Sequence, residues 1–330
     1  MTSSLPLAQE RDFGQKINAT FDFIRQNFKP LLLAVLVIGG TPTLLAYIIG
    51  GIGLAGLAPA LTQMRQGGNP DFVGILAVIT PMIGTIFFVG LLFIVSSIMS
   101  SLALYGYVLE YEARGGKSPA ISVADVWQRV SSNFWRYVGY TIALGLLFVV
   151  ALFVMGFLIG VLGGVAGTSG SAVFGFIYLI GIVYISVAIS LYYFIVVREN
   201  LGIIDSVKRC FYLVQGKWWS TFGLLFILGL ISIVLFFGTY FISALLLGVF
   251  GLAGAGIGSA AVTASLVIAT IISSLFSTLI GIVIRCISSL GLVFQYYNLV
   301  ERKDGEGLAN AIGGIGNAKT PTNNDSEADF

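Results

Sequence analysis

The sequence predicts an all-α, polytopic membrane protein. Six transmembrane helices form three pseudo-repeated hairpins, each preceded by a cytoplasmic amphipathic helix. Three observations predict this. Of 330 residues, 57% are hydrophobic and only 10% charged, against roughly 25% charged in soluble domains; the mean hydropathy is +0.97. A chain this apolar needs a non-aqueous solvent. Apolar runs alternate with short polar connections, and a bilayer crossing takes about 20 helical residues. Finally, one plan recurs: an amphipathic segment, an anchor, then a long apolar run. It is clearest over residues 198–235, RENLGIIDSVKRCFYLVQGKWWSTFGLLFILGLISIVL.

Residues 1–12 are polar and expected to be a flexible N-terminus. Phe13, Ile17, Phe21, Ile24 and Phe28 recur at spacings of three and four, which predicts an amphipathic helix over 13–28. Lys29-Pro30 opens the apolar run 31–60, where Pro42 predicts a kink because proline removes a backbone hydrogen bond. Arg65, Gly67, Gly68 and Pro70 mark a polar loop over 61–71. The run 72–109 shows no polar turn, so it is read as one long span containing Pro81.

Residues 110–122 are a polar break, and Ser122 with Asp125 predicts a helix start. Val123, Val126, Trp127 and Val130 form the second amphipathic face, and Phe134-Trp135-Arg136 leads into a span near 137–162. An uncharged Gly/Ser turn at 163–171 precedes the fourth span, 173–197. The third amphipathic face carries Ile204, Val207, Phe211 and Val214. Lys217-Trp218-Trp219 anchors the span 219–249, the glycine-rich turn 250–262 follows, and the sixth span is 263–299. The polar tail 301–330 is expected to be disordered and cytoplasmic. Residues 13–300 thus read as a single transmembrane domain.

Aligning Lys29, Trp135 and Trp219 without gaps puts Ile24, Val130 and Val214 in register, with Phe21, Trp127 and Phe211, and with Gly39, Gly145 and Gly229. A Ser-Leu pair recurs late in each second span, at Ser101-Leu102, Ser190-Leu191 and Ser289-Leu290, and Glu110, Glu199 and Glu301 follow at the exits. The units run about 13–110, 120–199 and 203–301. Of 17 Lys and Arg, 15 fall in the N-terminal segment, the connections near 110–136 and 198–217, and the tail. The positive-inside rule then places both termini and the amphipathic segments in the cytoplasm.

The chain has no histidine. That excludes Ser-His-Asp triads, histidine metal clusters and histidine proton shuttles. Cys210 and Cys286, one in a polar connection and one in an apolar run, suggest neither a disulfide framework nor a zinc site. No cofactor is expected, and the net charge of +2 gives no nucleic-acid footprint. No Asp or Glu lies within the spans, against a carboxylate-coupled transporter. Arg285 is the one charge deep in an apolar run; either it holds an anion or lipid phosphate, or it snorkels to neighbouring hydroxyls and carbonyls. Ser96, Ser97, Ser100, Ser101, Ser273, Ser274, Ser277, Ser288 and Ser289 form small polar stripes suited to close packing or a polar path. Trp135, Trp218 and Trp219, with Tyr192, Tyr193, Tyr296 and Tyr297, read as interfacial anchors. Lys208, Arg209 and Lys217 are candidates for contact with anionic headgroups.

The stretch REN-LGIIDSVKRCFYLVQGKWWSTFGLLFILGLI and the ending FQYYNLVERKDGEGL resemble six-span bacterial membrane proteins related to the membrane domain of glycerophosphoryl diester phosphodiesterase. The resemblance covers most of residues 13–310 through short, degenerate motifs. It implies a six-helix fold in the bacterial cytoplasmic membrane with no established activity. The catalytic barrel of some relatives, which relies on histidines and metal-binding carboxylates, is not expected within these 330 residues, so phosphodiesterase activity does not follow from the resemblance. The expectation is a non-enzymatic membrane protein that organises the membrane or partner proteins. The alternative is a permease, channel or lipid-handling protein with a path near Arg285. Membrane lipids are the expected partners, with other membrane proteins a further candidate.

Overall fold

The computed structural model describes residues 5–65, 72–116, 121–255 and 259–305. Most of the expected loop at 61–71, the tip of the turn at 250–262 and the tail beyond 305 lie outside the described residues. The helices are α1 (Phe13–Val35), α2 (Thr41–Arg65), α3 (Phe72–Ala113), α4 (Val123–Ala188), α5 (Tyr192–Arg198), α6 (Ile203–Val214), α7 (Trp218–Ala255) and α8 (Ser259–Asp304), with a π-helical turn at Leu36–Gly40 between α1 and α2. No strand occurs among the described residues. Six stretches are long and apolar enough to cross a membrane: Phe13–Gly53, Ile79–Ala113, Val123–Val165, Ser169–Arg198, Trp218–Leu252 and Val267–Asp304. The chain is an all-α, multi-pass integral membrane protein.

The amphipathic segments join their spans in two ways. Asp12 starts α1 with a capping box, its side chain accepting from the Gln15 amide at 2.7 Å. The helix then runs through Pro30 without a break, so 13–28 is not a separate surface helix. Ser122 and Asp125 cap α4 as expected, and 123–130 likewise continues into its span. A continuous helix keeps backbone hydrogen bonds satisfied as the chain enters lipid. Only α6 is detached: Gly216, at φ +80°, turns the chain between it and α7.

The buried face of α1 differs from the apolar stripe in the sequence. Lys16, Ala19, Thr20, Phe23 and Asn27 are buried, while Phe13, Phe21 and Phe28 are exposed. Beside lipid, apolar groups lose nothing by facing outward, whereas polar groups need partners inside the protein. Polarity therefore turns inward here.

The predicted kink is a π-helical turn just before Pro42. Proline has no N–H to continue the ladder, and the wider turn absorbs the defect. The Thr41 and Ser96 hydroxyls donate to the Val37 and Gly39 carbonyls at 2.6 Å each. Gly39 is required for close approach: a Cβ there would lie 2.6 Å from Ser100 Cα. The expected turn at 163–171 contracts to Gly167, at φ +70°, which joins the two spans of α4.

Packing is concentrated at the charged end of the bundle, where the N-terminal segment, the start of α4, α6 and the end of α8 meet. Phe23, Tyr107, Tyr111, Phe194, Phe294, Tyr296 and Tyr297 are fully buried there. Their rings meet edge to face, with centroids 5.0 Å apart for Phe23–Tyr111 and Phe194–Tyr296. Residues 5–12, within the N-terminus expected to be flexible over 1–12, pack against this core; residues 1–4 lie outside the described residues. Leu7 and Arg11 are buried, and the Leu5 and Arg11 amides donate to Tyr111 Oη and Asn298 Oδ1. Away from this end the spans turn large apolar side chains outward. The most apolar stretch of Val123–Val165 contains no buried residue.

Candidate functional site

Arg285 lies on α8, ten residues before Gln295, or about 15 Å of helix rise. Gln295 Nε2 donates to Thr221 Oγ1, two positions beyond Trp219. Arg285 is therefore well inside a hydrocarbon layer about 30 Å thick. Its Nη1 donates to the Ser97 carbonyl at 3.3 Å, Ser97 Oγ at 3.2 Å and Ser101 Oγ at 3.1 Å. The Tyr105 side chain faces Ser289, and Tyr137 from α4 faces Ser101. All three hydrogen bonds leave from one nitrogen. Nε and Nη2 have no partner, and no carboxylate pairs with the guanidinium, among the described residues. Arg285 is half-buried and Ser97 exposed, so the cluster opens at the protein surface within the membrane.

The serine stripe on α3 divides by face. Ser96 and Ser100 are buried against the π-helical turn, where they permit close packing. Ser97 and Ser101, one position on, turn to Arg285. On α8, Ser288 meets Ser232 of α7 at 3.2 Å and Ser289 belongs to the arginine cluster. Ser273 is buried, and its hydroxyl has no partner among the described residues.

The charged end carries a second polar network. Arg198 donates to Glu112 Oε1 at 3.0 Å and to Tyr296 Oη at 2.9 Å, and its guanidinium centre lies 5.0 Å from the Tyr297 ring centroid. Tyr297 Oη donates to Glu112 at 2.6 Å and Tyr296 Oη to Glu199 at 2.5 Å. Arg209 donates to Glu199 at 2.9 Å and pairs with Asp304. The expected interfacial roles of Tyr192, Tyr296 and Tyr297 are thereby corrected: these rings are buried. Arg209 is likewise consumed by carboxylates rather than offered to a headgroup. Burial opposes its charge, yet Asp304 and Glu199 outweigh that and hold its pKa above the ordinary arginine value. The nearby Cys210 thiol is pushed up to about 12, by burial first and Glu199 second, so it remains a neutral core group.

Of the other candidates, Lys208 is exposed and 3.7 Å from an equally exposed Asp205, a pair of little energetic weight. Lys217 is exposed, and its ammonium has no partner among the described residues. Trp135 and Trp219 project outward, 79% and 77% exposed, as interfacial anchors would. Trp218 instead stacks on Tyr184 and donates its indole N–H to the Tyr184 carbonyl at 3.1 Å.

The sequence reading missed Lys16. Its buried ammonium donates to Gln295 Oε1 at 2.8 Å and Ser220 Oγ at 3.0 Å. The signal was present, because Lys16, Thr20 and Asn27 share one helix face. That face reads as solvated unless the surroundings are taken to be lipid. The Glu112–Arg198 pair joins residues 86 apart in sequence and left no local signature. No group of three or more His, Cys, Asp or Glu side chains suited to a metal occurs among the described residues. Comparison with protein-family models, curated proteins and solved structures returns no match.

Proposed function

We propose that this protein is a non-enzymatic integral membrane protein that holds an anionic amphiphile, a membrane phospholipid, against Arg285. One observation carries the reading: an intramembrane guanidinium with one nitrogen satisfied and, among the described residues, two left open and no carboxylate beside it. An arginine at mid-membrane costs at least ~2.5–3.5 kcal/mol, and neutral hydroxyls only partly offset a full charge. A phosphate fits the open edge, since planar guanidinium donates two parallel hydrogen bonds to such oxyanions. The packed aromatic end of the bundle favours lateral access from lipid over a through-channel.

The same filled, ion-paired end supports a second reading, in which it is a rigid platform that organises neighbouring membrane proteins. By the positive-inside rule that end faces the cytoplasm, and the resemblance to six-span bacterial proteins points to the cytoplasmic membrane. The three-hairpin repeat has support in equivalent burial. Thr20, Val126 and Cys210 are all buried, as are Leu102, Leu191 and Leu290. Unit exits also touch the start of the next unit, Glu110 with Arg129 and Glu199 with Arg209, and Asn298, three residues before Glu301, accepts from the Arg11 amide just ahead of the first unit. The third contact closes the ring on the first unit.

The test is phospholipid co-purifying with wild type, Arg285→Leu and Arg285→Lys, with melting temperatures alongside. Bound anionic lipid is expected to fall about tenfold or more in Arg285→Leu, the weight of a charged hydrogen bond. Arg285→Lys should fall in between, because lysine lacks the fork. Inorganic phosphate should bind wild type and Arg285→Leu equally, which separates a lipid from a free anion. Unchanged anionic lipid in a folded Arg285→Leu protein would overturn the lipid reading and leave the platform ahead.

A further inference from the structure

A second amphiphilic feature lies at the charged end, seventeen residues along α8 from Arg285, or about 25 Å of helix rise. Three recesses join in series there. The first, about 460 Å³, is an apolar groove between Leu179, Ile180 and Val183 of α4 and Trp219 and Phe222 of α7. Through Tyr184 and Trp218 it meets a recess of about 410 Å³ under α6. Through Gln215 and Gly216 this continues into a surface hollow of about 270 Å³ lined by Lys217, Arg302, Lys303 and Glu10.

The polarity is ordered along the series. The groove walls are aliphatic and aromatic, and exposed Trp219 sits at its rim. Three cations face one carboxylate in the hollow. Arg302 is 3.4 Å from Glu10, and Lys303 donates to the Tyr212 carbonyl with its ammonium 4.5 Å from the Tyr212 ring centroid. Lys217 remains uncommitted among the described residues. Apolar walls leading to an unneutralised cation, beside tryptophans of the kind that settle at headgroup level, match an anionic lipid in both halves.

We infer that one anionic phospholipid binds at this rim, its acyl chain along the α4–α7 groove and its phosphate beside Lys217. The site is separate from the Arg285 cluster and survives if that reading fails. Full-length protein carrying Trp127→Phe and Trp135→Phe retains only Trp218 and Trp219 as tryptophan reporters. It is reconstituted into phosphatidylcholine–phosphatidylglycerol vesicles in which one lipid or the other carries brominated chains. Brominated phosphatidylglycerol should quench the more strongly. Lys217→Gln should reduce that preference about fivefold, the weight of one lysine beside an anionic headgroup. Val183→Phe, which fills the groove, should weaken quenching by both lipids. Arg285→Leu should leave the preference intact, and glycerol phosphate, a headgroup without a chain, should not compete. Equal quenching by the two lipids, an unchanged preference in folded Lys217→Gln, loss of preference in Arg285→Leu, or displacement by glycerol phosphate would each overturn the site.

Discussion

Arg198→Met is expected to destabilise the protein by about 3 kcal/mol, near the lower end of the range for breaking a largely buried ion pair. The Arg198 and Glu112 side chains are 17% and 33% exposed, so water compensates only part of the loss. The variant leaves Glu112 without its arginine, though still bound by the Tyr297 hydroxyl, and removes the donor to Tyr296. Tyr296 also binds Glu199, which holds Arg209, so one substitution loosens the ends of α3, α5, α6 and α8 together. Unfolding in mixed micelles measures the effect. Adding Glu112→Gln should recover part of the loss, because the charge left without its arginine is then gone. A stability within about 0.5 kcal/mol of wild type, as for an ordinary surface change, would show the network to be incidental.

Gly39→Ala is expected to cost about 3 kcal/mol, the upper part of the usual overpacking range. The new methyl would lie 2.0 Å from Ser100 Oγ and 2.6 Å from Ser100 Cα. Rotating the serine relieves the first contact, but the second is backbone and requires α3 to move. Gly145→Ala and Gly229→Ala, the positions aligned with Gly39 in the proposed repeat, meet nothing within 4 Å. They should be neutral or slightly stabilising, as alanine is the better helix former. Similar losses at all three positions would mean the shared glycine marks equivalent close contacts; a loss at Gly39 alone confines the contact to the π-helical turn.

What was legible in the sequence follows from range. Hydropathy and length revealed the six spans because each is a local property of about 20 residues. Ser122 with Asp125 was legible for the same reason, a cap being settled within four residues. Lys16 and Asn27 were missed because amphipathicity gives a direction and leaves open which solvent lies outside. Arg285 stood out as a lone charge in an apolar run, and Ser97 and Ser101 were visible as part of a stripe. Their meeting required the packing of α3 against α8. Lys217 and Arg209 looked alike in sequence; Glu199, just after α5, and Asp304 of α8 distinguish the consumed cation from the one left without a partner among the described residues.

The central claim is that the open edge of Arg285 receives a lipid phosphate. A high-resolution map of the protein in native-lipid nanodiscs tests it most directly. The account predicts phosphate density within hydrogen-bond distance of Nε and Nη2, about 2.7–3.2 Å, continuous with acyl-chain density at the membrane-facing surface. A carboxylate in that position, or ordered water alone, would contradict it.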